Sequence, residues 1–171
     1  MEYKIREVRS FSVCGLETEI TKWQNRNIPI CRELWIQFNK YLNEYGLHQL
    51  GDWKKYAFTY KRDGKFFYYC SIPEQFKIPK QFIVKEIPRN TYLIYPHVGN
   101  MATIKDTINI IYKNLLPSTK LEVINEKFFH YERYDKRFYW DSPSSIIDIY
   151  IPIVKESICG GNFNEEDSTY I

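Results

Sequence analysis

The sequence predicts an α+β domain built from two β-α-β-β units in succession, with both helices covering one face of the sheet. Three observations carry this: two stretches with helical apolar spacing, several runs of strand-forming residues between turn signals, and an order in which each helix is followed by strands.

The chain opens on a strand from Tyr3 to Gly15, with a break expected near Ser10. The first helix is expected from Pro29 to Tyr45. Cys31, Leu34, Trp35, Phe38, Leu42 and Tyr45 fall on one stripe, Asn27 is placed to cap the start, and Gly46 to end it. Tyr56–Lys61 and Phe66–Ile72 flank Arg62-Asp63-Gly64-Lys65, where Asp-Gly signals a hairpin. Phe82–Ile87 and Thr91–Val98 flank Pro88-Arg89-Asn90. The second helix is expected from Thr103 to Leu116, with Ile104, Ile108, Ile111, Tyr112 and Leu115 on its apolar face. Thr103 and Asp106 have capping-box spacing, and Pro117 marks the end. Leu121–Tyr134 and Ile146–Val154 close the second unit. Residues 1–155 read as the domain and 156–171, with Gly160-Gly161 and Glu165-Glu166-Asp167, as a polar tail.

With 171 residues the chain is long enough to bury a core without a metal or disulfide staple. The 24 basic and 21 acidic residues are interspersed, without a like-charge run of five, so direct nucleic-acid binding is not expected. Cys14, Cys31, Cys70 and Cys159 show no CxxC spacing, and His48, His97 and His130 no metal spacing, so neither metal nor cofactor is expected. No apolar run approaches the ~18 residues of a membrane span and no signal peptide is apparent, which predicts a cytoplasmic protein. GxSxG, Walker, GxGxxG and HExxH motifs are missing.

Aromatic residues make up 18% of the chain, and rings build pockets as well as cores. Within Phe128-Phe129-His130-Tyr131-Glu132-Arg133-Tyr134, strand alternation places Phe128, His130, Glu132 and Tyr134 on one face. A carboxylate among rings either titrates high or welcomes a cation. The plainer reading is an edge glutamate in water, or one paired with Arg133 or Arg137. Read alone, Trp35 and Tyr112 are core residues on their helix stripes.

Four segments resemble the GyrI-like effector-binding domains, the small-molecule-sensing module also fused to AraC-type and multidrug-sensing regulators. They are Ile28-Pro29 through Leu34-Trp35 to Phe38, Ile87-Pro88 through Tyr92, Ile111-Tyr112 through Leu116-Pro117, and Glu132-Arg133-Tyr134 with Asp148-Ile149-Tyr150-Ile151-Pro152-Ile153. The resemblance spans about residues 3 to 154. It implies a pseudo-twofold pair of repeats in an antiparallel sheet, with a ligand cleft between them. The family's pocket glutamate falls on Glu132 and its helix tryptophan on Trp35. Departures are Leu115, where the family carries tryptophan, and Ser71, where it carries glycine.

The resemblance thus implies a stand-alone protein that binds a small organic ligand, cationic or aromatic. Glu132 would be the counter-charge and Trp35, Phe38, Tyr69, Tyr95 and Tyr112 the walls. Two alternatives are a hydrolase of electrophilic small molecules, with Glu132 as general base and Tyr112 assisting, and a module that binds a protein partner such as a topoisomerase. Neither a helix-turn-helix reader within these 171 residues nor a membrane partner is expected.

Overall fold

The computed structural model describes residues 2–48 and 51–155. Its eight strands are β1 (Lys4–Val8), β2 (Phe11–Ile20), β3 (Lys55–Arg62), β4 (Lys65–Pro73), β5 (Ile83–Ile87), β6 (Asn90–Val98), β7 (Tyr131–Tyr134) and β8 (Ile146–Ile153). They form one curled sheet in the order β1-β6-β8-β7-β3-β4-β2-β5, with every pair antiparallel. The predicted polar tail at 156–171, with Cys159, lies outside the described residues.

The strand order reads the same from both ends. β5-β2-β4-β3 form one half, β1-β6-β8-β7 the other, and the β3–β7 ladder joins them. The break foreseen near Ser10 has a structural purpose. It hands the first segment of the opening strand, β1, to β6 of the second half, while β2 stays with β4 and β5. Glu7 on β1 takes an ion pair from Arg89, beside the β5–β6 link. Asp63 and Gly64 both have positive φ (51° and 77°), which a two-residue hairpin matched to strand twist requires.

Helix α1 runs from Gln24 to Glu44, a turn earlier than the stripe predicts. Asn27 does not cap it; its side-chain oxygen accepts from the Thr21 backbone N–H at 2.8 Å. Gly46, at φ 63°, ends the helix as expected. The second helical stretch is less regular than its periodicity suggests. Thr103 makes no capping bond; Asn100 accepts from Ala102 N and opens a 3-10 turn, Met101–Thr103, before α2 (Ile104–Ile110). A π turn, Ile111–Leu115, follows, and α3 (Leu116–Thr119) carries the chain past Pro117 to Lys120 at φ 59°. Pro117 falls in the first turn of α3, where proline's fixed φ suits the helix, so it does not end the helix here.

Both helices cover one sheet face. Leu34, Phe38 and Leu42 of α1 meet Cys14, Leu16, Cys70 and Ile72, while Ile111 and Leu116 meet Leu93, Tyr95, Ile149 and Ile151. The other face buries a core of rings: Tyr56, Phe58, Tyr69, Tyr92, Phe128, Tyr131 and Tyr150. Burying each such side chain contributes about 1.5–3 kcal/mol, so much of the aromatic excess is structural.

The expected long strand Leu121–Tyr134 is observed only from Tyr131, apart from one bridge between Val123 and Ile153. The polar Asn125-Glu126-Lys127 interrupts it. Alternation therefore cannot be counted back through Phe128, which packs with Phe58 and Tyr131 on the face away from Glu132.

Candidate functional site in the interrepeat cleft

Glu132 stands at the seam of the two halves. It is opposite Ala57 on β3 and Ile149 on β8, and Ile149 is in turn opposite Tyr95 on β6. Directly paired residues share a face, so Tyr95, Ile149, Glu132 and Ala57 form one row beneath the helices. The methyl group of Ala57 leaves room beside the carboxylate. Tyr134, Trp35, Tyr68, Met101 and Phe138 gather on the same side.

The half-buried Glu132 accepts a hydrogen bond from the Tyr134 hydroxyl. Burial outweighs this bond and pushes the carboxyl up to about 7. Among the described residues, no lysine or arginine lies within ion-pair distance of it. The neighbouring arginines are used elsewhere. Arg133 points to the opposite face over the Tyr150 ring and donates to Asp148 at 2.7 Å. Arg137 bridges Asp135 and Asp148. These ion pairs hold down the loop carrying Phe138 and Trp140.

Further donors gather beside the carboxylate. Trp35 Nε1 donates to the Tyr68 hydroxyl at 2.9 Å, and Tyr68 and Tyr134 also engage each other. The single Tyr134 proton goes to Glu132. Cys31, on α1, lies close enough that the Glu132 charge, after burial, helps push its thiol up to about 11.

A hollow of about 80 Å³ opens at this seam, lined by Trp35, Asn39, Trp53, Lys55, Tyr134 and Trp140 among others. A larger one, about 330 Å³, lies across Trp53 and Lys55 toward Leu42, Leu47 and Ile72. The smaller hollow is the better candidate, because Tyr134 in its wall donates to Glu132, which stands behind that ring and not in the lining itself.

Of the predicted walls, Trp35 faces the hollow. Phe38 is fully buried beneath it, edge-on to Trp35 and against Phe82, and supports the wall from behind. Tyr95 lies in the Glu132 row but within the core under α2. Tyr112 sits in the π turn, its hydroxyl 3.0 Å from Phe129 O and 3.2 Å from His130 Nδ1, whose imidazole burial pulls down to about 4. Tyr69 is a correction. It packs on the far face and donates to Ile83 O at 2.6 Å, while Tyr68, one residue earlier, packs beside Ala57 and Tyr134 on the Glu132 side. Sequence reading also passed over Lys55, Trp53 and Tyr68. Alternation across the Asp63-Gly64 hairpin would have found Tyr68, because the strand registers that it sets place Tyr68 and Ala57 on the same face.

Two repeats joined at a central ladder define an effector-binding domain of the GyrI-like class. The chain belongs to the Cass2 family of integron-associated effector binding proteins, whose model matches residues 4–153. It is 31% identical over 94 residues to the transcriptional regulator BrlR of Pseudomonas aeruginosa. That alignment covers 53% of this chain and 34% of BrlR, so it spans about a third of the regulator's length. Among solved structures, SAV2435 bound to tetraphenylphosphonium superposes with a TM-score of 0.71 at 14% identity, over 91% of this chain and 96% of that one. An integron cassette protein of Vibrio cholerae superposes at 0.61, with 16% identity over 89% and 95%. At these identities the likeness establishes the fold. No helix among the described residues is long and apolar enough to cross a membrane.

Proposed function

We propose that the chain binds a lipophilic organic cation in the cleft between its halves, with Glu132 as counter-charge and Trp35 and Tyr134 as ring walls. The observation that carries this reading is the half-buried carboxyl of Glu132, supplied with a hydroxyl donor but no basic partner among the described residues. A cation at this position replaces the missing partner. It gains ~0.5–2 kcal/mol from each well-placed ring, and charge attraction that water screens poorly. The tetraphenylphosphonium held by a protein of the same fold is a lipophilic cation, in keeping with that chemistry.

A hollow of about 80 Å³ is smaller than the ~300 Å³ or more that drug-sized ligands occupy. Binding therefore moves ring side chains, and the 45%-exposed Trp140 is the wall member freest to yield. Glu132→Gln is the direct test, by fluorescence titration with a cationic dye and a neutral dye of matched shape. The cation's affinity is expected to fall about thirtyfold and the neutral dye's less than about twofold. Equal losses for both dyes would reject the counter-charge.

A further inference from the structure

The cleft holds a second charge that lacks an opposite. Lys55, on β3, pairs in register with Tyr134, and two residues further along the same face Ala57 pairs with Glu132. Lys55 lines the same hollow as Trp35, Trp53 and Tyr134. Its ammonium donates to Asn39 Oδ1 at 2.8 Å and lies 5.4 Å from the Trp53 ring centre. Among the described residues, no carboxylate comes within 4.0 Å of it. Burial draws its pKa below the ordinary lysine range, as expected of an ammonium with only a neutral acceptor.

Lys55 and Glu132 thus share one face of one ladder without neutralising each other. Two residues along a strand separate their rows by about 6.6 Å, and Tyr134 stands opposite Lys55 with its hydroxyl committed to Glu132. A ligand bearing only positive charge gains from Glu132 but is opposed by Lys55. One that also carries an anionic or strongly accepting group satisfies both.

We propose that Lys55 is a specificity-determining residue of the cleft, selecting aromatic zwitterions whose anionic group it reads while Glu132 holds the cationic centre. The ring wall would accept either kind of aromatic cation, and Lys55 sorts those with a matching acceptor from those without. This inference rests on the reading of Glu132 as counter-charge.

The test uses a xanthene dye in two forms, a cation with its carboxyl esterified and a zwitterion with the carboxyl free, titrated against the full chain and Lys55→Gln. Glutamine keeps a donor for Asn39 without the charge, and an unchanged melting temperature confirms that the variant is folded. Lys55→Met is the second variant, removing donor and charge together. Both are expected to bind the zwitterion about tenfold more weakly and the esterified cation about threefold more tightly. Shifts in the same direction for both dyes, or shifts under about twofold, overturn the role of Lys55 alone. Equal binding of the esterified dye by Lys55→Gln and by Lys55→Gln combined with Glu132→Gln overturns the Glu132 reading, and this inference with it.

Discussion

The chain contains two glutamates in similar settings with opposite fates. Glu17, on β2, has a side chain only 11% exposed and receives a hydrogen bond from the Tyr60 hydroxyl, as Glu132 does from Tyr134. Glu17 is also held by Lys85 at 3.2 Å and Arg62 at 3.1 Å. Burial alone would raise its pKa, but the Tyr60 hydroxyl, Lys85 and Arg62 together hold it below the ordinary carboxylate value. Glu132 has the burial and the hydroxyl without the cations, and titrates near 7. Burial by itself therefore does not mark a binding carboxylate. The mark is burial with the compensating charge left out, since a chain that needed the charge only for stability gains from supplying it internally.

Removing each charge breaks or sharpens this contrast most directly. Glu17→Gln leaves the half-buried Lys85 without its partner and is expected to cost about 2 kcal/mol at pH 7 in urea unfolding. Glu132→Gln is expected to stabilise at pH 8, because it removes a charge that the fold must desolvate. The pH dependence follows from the same shifts. Glu132 titrates above its unfolded value of 4.5, so the folded chain keeps a proton that the unfolded chain has released. Its contribution to stability is full below about 4.5 and declines as pH rises toward 7, by about 2 kcal/mol between pH 5 and 8. Glu17, with its pKa depressed, behaves in reverse; its contribution is full above 4.5 and lost as pH falls below that. If unmodified chain and Glu132→Gln show the same slope between pH 5 and 8, the two glutamates do not differ as described.

The same contrast shows what was legible beforehand. The fold class was readable because long periodic segments and the Asp63-Gly64 turn state their structure locally. Glu132 stood out through the company of rings and the resemblance of its segment. Its isolation from Arg133 and Arg137 was not legible, since it depends on Asp148, on a different strand, drawing both arginines to the opposite face. Tyr69 and Tyr68 were confused for a similar reason: a one-residue difference in strand position exchanges faces, and only register decides which tyrosine meets the cleft. Lys55 gave no signal because a lysine at the start of a strand is ordinarily solvated.

A smaller effect is expected from Tyr134→Phe, which removes the one hydroxyl shared by the contrast. The carboxyl of Glu132 then titrates higher still, and the pH at which cation binding is half developed moves up by about one unit. Affinity for the cation should rise with pH in both proteins, since only the ionised carboxylate supplies the counter-charge. A midpoint that stays in place would mean that Tyr134 only fills space.

The smallest shift belongs to Trp35→Phe, which removes a donor that ends on Tyr68 and not on Glu132. Phenylalanine keeps a ring near Tyr134, now 5.3 Å away, but deletes the N–H that Tyr68 accepts at 2.9 Å. The Tyr134 hydroxyl that donates to Glu132 stays in place. Stability should fall by about 1 kcal/mol from the lost bond and ring volume, while the binding midpoint moves by less than about 0.3 pH units. A midpoint shift as large as that of Tyr134→Phe would mean that Trp35 acts on the carboxylate as strongly as the hydroxyl that touches it.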